Sequence, residues 1–332
     1  MYMLALLANA DWLWVSDFVC GLAFIGVIGY HLARQTHWLV GATFGLMAYS
    51  AFSVFQNALN GLPFDPVMRL YDHASECAFI WLTLIVAAAS FLTLSFWIKF
   101  FRVVALVNAA LIFLTLNAQL YPWGILFNGS MSGCFSAVLL PLYSRKEEKW
   151  RWVFVLLSVF AVRRSLPIAV LFATALPFLN WYQLSISWWA LVGTGFLLKG
   201  KLFLEDNGRF GIWRDSFRYW SHYIPLWTGS GLGLYYILFQ ALSASKIIWM
   251  HSDWGQILFE TGIVGFGAVS ALYLFALYRA HQQGKYVLSA LLGYGMFAVA
   301  NMPLRYPLSA LYGAFLIRWA FNKRSIYVRA ET

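Results

Sequence analysis

Long, continuously apolar runs separated by short polar breaks make up most of the chain, and they predict helices rather than strands. The runs fall near 12–32, 38–59, 75–93, 100–118, 130–144, 152–162, 166–179, 181–198, 256–278, 286–300 and 307–321. A helix needs about 20 apolar residues to cross the roughly 30 Å hydrocarbon core of a bilayer. A β-barrel would instead show short segments of alternating polarity. Lipid also forces backbone hydrogen bonds to close within each segment, which favours helices for such runs. The expected fold class is therefore all-α, a polytopic transmembrane helical bundle of about eleven spans. The runs at 152–162 and 166–179 are short for a crossing and predict tilted segments, or segments extended past Arg163 and Arg164.

Composition removes the soluble alternative. Of the 332 residues, 61% are hydrophobic and 19% aromatic, while charged residues are held to 11%. Soluble domains carry about 25% charged residues, so too few polar side chains exist here to build a solvated shell. The mean hydropathy of +0.68 extends over most of the chain rather than a core stripe. Cys20, Cys77 and Cys134 sit in or beside apolar runs without metal-ligand spacing, and each reads as a small apolar residue. The N-terminal run has no basic region and no cleavage-like site, so no removable signal peptide is expected.

Charge placement orients the spans. With the N-terminus outside, the cytoplasmic loops hold Arg34, then Lys99 and Arg102, then Arg145, Lys146, Lys149 and Arg151. Arg279 and Lys285 follow, and Lys323, Arg324 and Arg329 close the series in the tail. Short basic loops belong on the cytoplasmic side. The one long polar stretch, 199–255, then lies outside, yet it carries Lys199, Lys201, Arg209, Arg214, Arg218 and Lys246. A basic outer segment runs against the topological bias and so calls for a local reason. Phosphate or pyrophosphate binding supplies one, because guanidinium forks match phosphate oxygens. Without repeats or linkers, 1–332 reads as a single transmembrane domain with 199–255 as its external loop.

Three segments carry candidate chemistry. The first, His251-Ser-Asp-Trp-Gly-Gln-Ile-Leu-Phe-Glu-Thr-Gly-Ile-Val-Gly265, stands where the outer loop returns to the membrane. A helix starting near Asp253 would set Asp253, Gln256 and Glu260 on one face, with Asp253 and Gln256 resembling a capping box. Gly262 and Gly265 would admit a neighbouring helix closely. Glu260 lies about two turns inside an apolar helix, a costly depth for an ionisable group unless it is paired or functional. The second segment, Asn207 to Trp220, repeats Phe210, Trp213, Phe217 and Trp220 at helical spacing, with Arg214 and Arg218 on a different face. That aromatic stripe predicts packing on the bilayer surface or on the bundle. Pro225 and the run Gly229-Ser-Gly-Leu-Gly233 follow as a tight turn. The third segment is Arg163-Arg164-Ser165, whose arginines either snorkel to headgroups or face the same cavity as Arg209.

Together these segments resemble the O-antigen ligase and O-antigen polymerase superfamily. HSDWGQILFETGIVG is similar to that family's histidine, aromatic-Leu, Glu-x-Gly-x-x-Gly signature, and GRFGIW…PLWTGSGLG to its upstream Gly-Arg, Trp and glycine-turn element. Arg164 stands at the position of the family's Ser-Arg-Gly arginine, with Ser165 in place of the glycine. Gly255 replaces a usual Leu, and Thr228 reads as a one-residue insertion. The resemblance covers roughly residues 130–320. It implies a GT-C-like, metal-independent glycosyltransferase without cofactor in the bacterial inner membrane, its active-site loop periplasmic. The implied donor is a polyprenyl-diphosphate-linked glycan. The acceptor is a lipid A-core sugar for a ligase, or a lipid-linked repeat unit for a polymerase. The resemblance implies His251, Arg209 and Glu260 as catalytic residues, with Arg164, Arg209, Arg214, Arg218 and Lys246 around the pyrophosphate. Membrane lipids are expected partners and nucleic acid is not.

A different class, a secondary transporter or lipid flippase, would show repeated halves with interrupted helices near the midplane. The polar residues here gather in one external loop instead.

Overall fold

A computed structural model describes residues 93–117, 124–126, 129–143, 149–162, 165–179, 209–231, 235, 250–301, 303–305 and 307–322. Among these residues the structure is all-helical, without strands. In chain order the helices are α1 (Leu94–Asn117), α2 (Gly129–Leu139), α3 (Lys149–Ala161), α4 (Ser165–Ala175) and α5 (Arg209–Tyr223). They continue with α6 (Asp253–Gln283), α7 (Lys285–Ala300) and α8 (Pro307–Phe321). Short 3-10 turns extend α2 over Leu140–Tyr143 and α4 over Leu176–Phe178, and Pro303–Arg305 leads into α8.

The apolar runs at 130–144, 152–162, 166–179, 286–300 and 307–321 fall on these helices within a few residues. The run at 100–118 begins earlier than its hydropathy indicates. Thr93 starts α1 by accepting the Phe96 amide on its hydroxyl at 3.2 Å, so Lys99 and Arg102 lie inside the helix rather than in a cytoplasmic loop. Arg102 is accommodated because its Nε donates to the Leu142 carbonyl at 2.7 Å, at the end of the α2 extension. Likewise α6 runs past its expected end at 278, and Arg279 belongs to it; Gly284 alone separates α6 from α7. The runs at 12–32, 38–59, 75–93 and 181–198 lie outside the described helices, as do Arg34, Arg145, Lys146 and the basic tail.

Among the described residues two helices, Leu94–Leu116 and Asp253–Gln283, are long and apolar enough to cross a membrane. Helix α2 forms the centre of the bundle, with Met131 through Leu139 buried. It packs on α1, α3, α4 and α7, while α7 also lies against α6 and α8. The rings of Phe101, Phe135 and Phe315 close around Tyr312, whose hydroxyl donates to the Val138 carbonyl at 2.7 Å. Polar groups between α1, α2 and α3 pair with one another. Asn108 of α1 donates to the Ser132 carbonyl and the Ser136 hydroxyl of α2, both at 2.9 Å, and accepts the Ile125 amide at 2.8 Å. Ser158 of α3 completes this knot with a 2.9 Å bond to Ser136.

The outward faces are apolar instead of charged. On α1, Val103, Val107, Leu111 and Leu114 form an exposed stripe, and on α3 Trp150, Val153, Leu157 and Phe160 form another. Both follow helical spacing, and α6 exposes Leu272, Phe275 and Tyr278. Continuous apolar surface of this extent marks contact with a partner or with lipid.

Candidate active site

Helix α5 docks by one narrow face. Ile212 and Ser216 are buried on it, and the Ser216 hydroxyl donates to the Ile212 carbonyl at 2.7 Å. The same hydroxyl shares a 2.8 Å hydrogen bond with the phenol of Tyr235. Trp213 contributes at the edge of this face, its indole Nε1 donating to the Met250 carbonyl at 2.7 Å. The aromatic stripe expected from sequence therefore divides. Trp213 packs inward, whereas Phe217 is exposed, and the Phe210 side chain lies outside the described residues. Arg214 and Arg218 follow Ile212 and Ser216 by two positions each, about 200° around the helix. They are accordingly exposed, and Arg214 pairs with its neighbour Asp215 at 3.1 Å.

Past α5 the chain turns at Pro225 and inserts into a break in α6. At Gly262 the helix leaves helical geometry, with φ 63° and ψ −169°. That combination is open in practice only to glycine. An interrupted helix strands backbone groups on both sides of the break, and buried groups of this kind must find partners. The turn supplies them. The amides of Ser230 and Gly231 donate to the carbonyls of Phe259 and Glu260 at 3.0 and 2.8 Å. In return the amides of Ile263 and Val264 donate to the carbonyls of Leu226 and Trp227 at 2.9 and 3.2 Å. Gly262 thus accommodates an irregular turn, not the neighbouring helix that the glycine spacing suggested. Gly265 faces the side chain of Thr261 in its own helix.

The start of α6 is fixed independently. Ser252, not Asp253, is the cap, accepting the Gly255 amide on its hydroxyl at 3.0 Å. Asp253 has another task. Its amide donates to the Asn301 carbonyl at 3.0 Å and its carboxylate accepts the Leu304 amide at 2.9 Å, tying α6 to the α7–α8 connection. Immediately before the cap, His251 is half-buried and adopts a left-handed φ of 53°. Few residues other than glycine occupy that region, although histidine is among the more tolerant.

Two turns along, Asp253, Gln256 and Glu260 are all buried, a feature that their shared face did not by itself predict. Gln256 does not complete a capping box. Its Nε2 donates instead to Glu260 Oε1 at 2.6 Å, and the Tyr235 amide approaches the same oxygen at 3.4 Å. The Tyr235 ring meets Phe259 edge to face at 4.9 Å between centroids. Tyr235 and Ser216 hence link α5 to the Glu260 stretch of α6, a link that sequence reasoning missed. The buried serine on an otherwise aromatic and basic helix was its only local sign.

Of the residues expected at the site, Glu260 and the glycine turn come together directly. His251 stands immediately before the same helix start, nine positions ahead of Glu260. Arg209 is the first residue of α5, and its side chain lies outside the described residues. Arg164 and Lys246 also lie outside them. Electrostatically, the described part of the site sets two buried carboxylates among amide donors, Asp253 against the Leu304 amide and Glu260 against the Gln256 side chain and the Tyr235 amide. No protein-family model and no curated protein matches the chain.

Proposed function

We propose that the chain is a multi-pass membrane glycosyltransferase of the O-antigen ligase type, moving a glycan from a polyprenyl diphosphate to a lipid A-core sugar. The supporting observation is the junction at Gly262. The two sequence elements behind the resemblance are separated by some twenty residues, and the glycine turn of one fills the helix break of the other. A device of interlocked backbone builds a fixed floor beneath a site, and fixed groups stabilise developing charge better than mobile ones.

In this reading the bundle crosses the bacterial inner membrane about eleven times and the 199–255 loop is periplasmic, a topology that follows the positive-inside rule. The outward apolar stripes of α1, α3 and α6 face lipid. The GT-C-like arrangement then holds donor and acceptor at the membrane surface above α6.

Transfer joins an acceptor hydroxyl oxygen to the anomeric carbon of the donor glycan while that carbon's bond to the diphosphate oxygen breaks. The diphosphate leaves with the bonding electrons, and the hydroxyl proton passes to His251, whose unperturbed pKa lies near neutrality. Arg209 and Arg164 stabilise the departing diphosphate, with Lys246, Arg214 and Arg218 in support. Glu260 holds its neighbours in place through Gln256 and the Tyr235 amide.

The test is lipopolysaccharide banding in a host lacking its own ligase, with membrane levels matched between wild type, Arg209→Ala and His251→Ala. A ladder restored by wild type and lost in both variants is the expected result. Absence of a wild-type ladder would sink the ligase reading in that host and turn attention to polymerisation of lipid-linked repeats.

A further inference from the structure

Gln256 is 95% buried, and its two amide atoms are treated very differently. Nε2 is bonded to Glu260 Oε1 at 2.6 Å, while Oε1 is buried without a hydrogen-bond partner among the described residues. A buried carbonyl oxygen left unpaired is costly, and native structures contain few of them. Turning the amide over would not relieve it, because Oε1 would then face the Glu260 oxygen at the same short distance, acceptor against acceptor. Glu260 therefore fixes which way the amide points. The result is a lone, uncharged acceptor held one turn inside the Ser252 cap.

Such an atom discriminates between ligand groups. Phosphate oxygens offer only further acceptors and cannot pair with it. A sugar hydroxyl brings the O–H donor that it lacks and, unlike a cation, needs no counter-charge. We infer that Gln256 Oε1 is a saccharide-binding group that receives one sugar hydroxyl, with Glu260 as the positioning residue that fixes its amide. The inference rests on the transferase reading for the identity of the saccharide, which belongs to either the acceptor or the donor glycan.

The experiment uses the full chain in lipid nanodiscs, as wild type, Gln256→Leu, Gln256→Met and Glu260→Gln. Both replacements of Gln256 also take the Nε2 donor from buried Glu260, a destabilising loss, so thermal midpoints are read beside the kinetics, and Gln256→Met serves should Gln256→Leu fail to insert. Two readouts run in parallel: transfer kinetics with acceptor and donor varied separately, and calorimetric binding of lipid-free core oligosaccharide and of donor glycan freed of its diphosphate lipid. Gln256→Leu is expected to raise KM for one saccharide about tenfold or more, with kcat and the other KM held. The substrate whose KM moves identifies the source. Glu260→Gln is expected to shift the same KM less, because its amide can hold Gln256 in either orientation.

Unchanged KM values and unchanged binding would overturn the inference and assign the oxygen to trapped water, while leaving the transferase reading intact. A uniform fall in kcat with both KM values altered would also overturn it, as general distortion. Wild type that binds a saccharide lost in Gln256→Leu yet transfers nothing would uphold the inference and sink the transferase reading. Wild type that neither binds nor transfers would sink both.

Discussion

Gly229 and Gly262 meet backbone to backbone, each with positive φ, at 72° and 63°. A Cβ on Gly229 would come within 2.4 Å of the Gly262 nitrogen, and one on Gly262 within 2.5 Å of the Trp227 carbonyl. Neither neighbour is a side chain that can swing aside, so the turn and the helix break require each other.

Alanine at either glycine is therefore expected to be strongly destabilising. Backbone strain in these regions costs about 1–3 kcal/mol per residue, and the overlap with rigid backbone adds to it. Thermal unfolding of the detergent-solubilised chain should show a clear fall in midpoint for Gly229→Ala and Gly262→Ala. Gly267→Ala is the control, since that helical glycine has open space around it and alanine should add up to about 1 kcal/mol. Equal midpoints for Gly262→Ala and Gly267→Ala would refute the docked-turn account.

The start of α6 offers a second comparison. Ser252→Ala removes a cap and should cost about 1 kcal/mol, whereas Ser252→Asn should hold stability nearly constant. Asp253→Ala leaves the Leu304 amide without its acceptor and should cost about 1–3 kcal/mol. Hydrogen exchange would separate the two variants. The cap variant should expose amides of the first turn of α6, while the Asp253 variant should also loosen the Pro303–Arg305 connection.

These residues also mark how far the sequence could be read. The helical class, the described element positions and the shared face of Asp253, Gln256 and Glu260 follow from periodicity, which local residues determine. The Ser252 cap was missed because Ser252 and Asp253 are both good caps in adjacent positions, and only the contact of Asp253 with Leu304, 51 positions later, decides between them. Arg102 looked like a loop charge because its acceptor, the Leu142 carbonyl, is remote in sequence. The break at Gly262 was hidden for the same reason. A glycine in an apolar helix gives no warning of positive φ until the turn carrying Gly229 is brought against it.

Within the bundle, Asn108 is the residue whose loss should propagate furthest. It is fully buried and bonded to α2 through Ser132 and Ser136 and to the Ile125 amide. Asn108→Leu keeps the branched shape but removes these three hydrogen bonds at once, leaving Ser136 only its bond to Ser158. Each unsatisfied buried group costs about 1–3 kcal/mol, so the sum should exceed the effect of any single serine. Ser158→Ala, at the edge of the same knot, should cost no more than about 1.5 kcal/mol. Chemical unfolding followed by tryptophan fluorescence would rank the two, and the reverse ranking would contradict a hub at Asn108.

The exposed arginines of α5 provide the sharpest test of where the diphosphate sits. Arg214 is 78% exposed and pairs with the adjacent, half-exposed Asp215, and such surface pairs contribute about 0–1 kcal/mol. Arg214→Ala with Arg218→Ala should therefore leave the thermal midpoint almost unmoved. Its effect on transfer discriminates between two placements of the donor. If the diphosphate lies near the α5 start, Arg209→Ala should abolish the lipopolysaccharide ladder while the double variant keeps most of it, with a shallower salt dependence because fewer surface charges remain to be screened. Should the double variant lose the ladder as completely as Arg209→Ala, the diphosphate must reach the outward face of α5. The buried face bearing Ser216 and Tyr235 would then serve only to hold the helix in place.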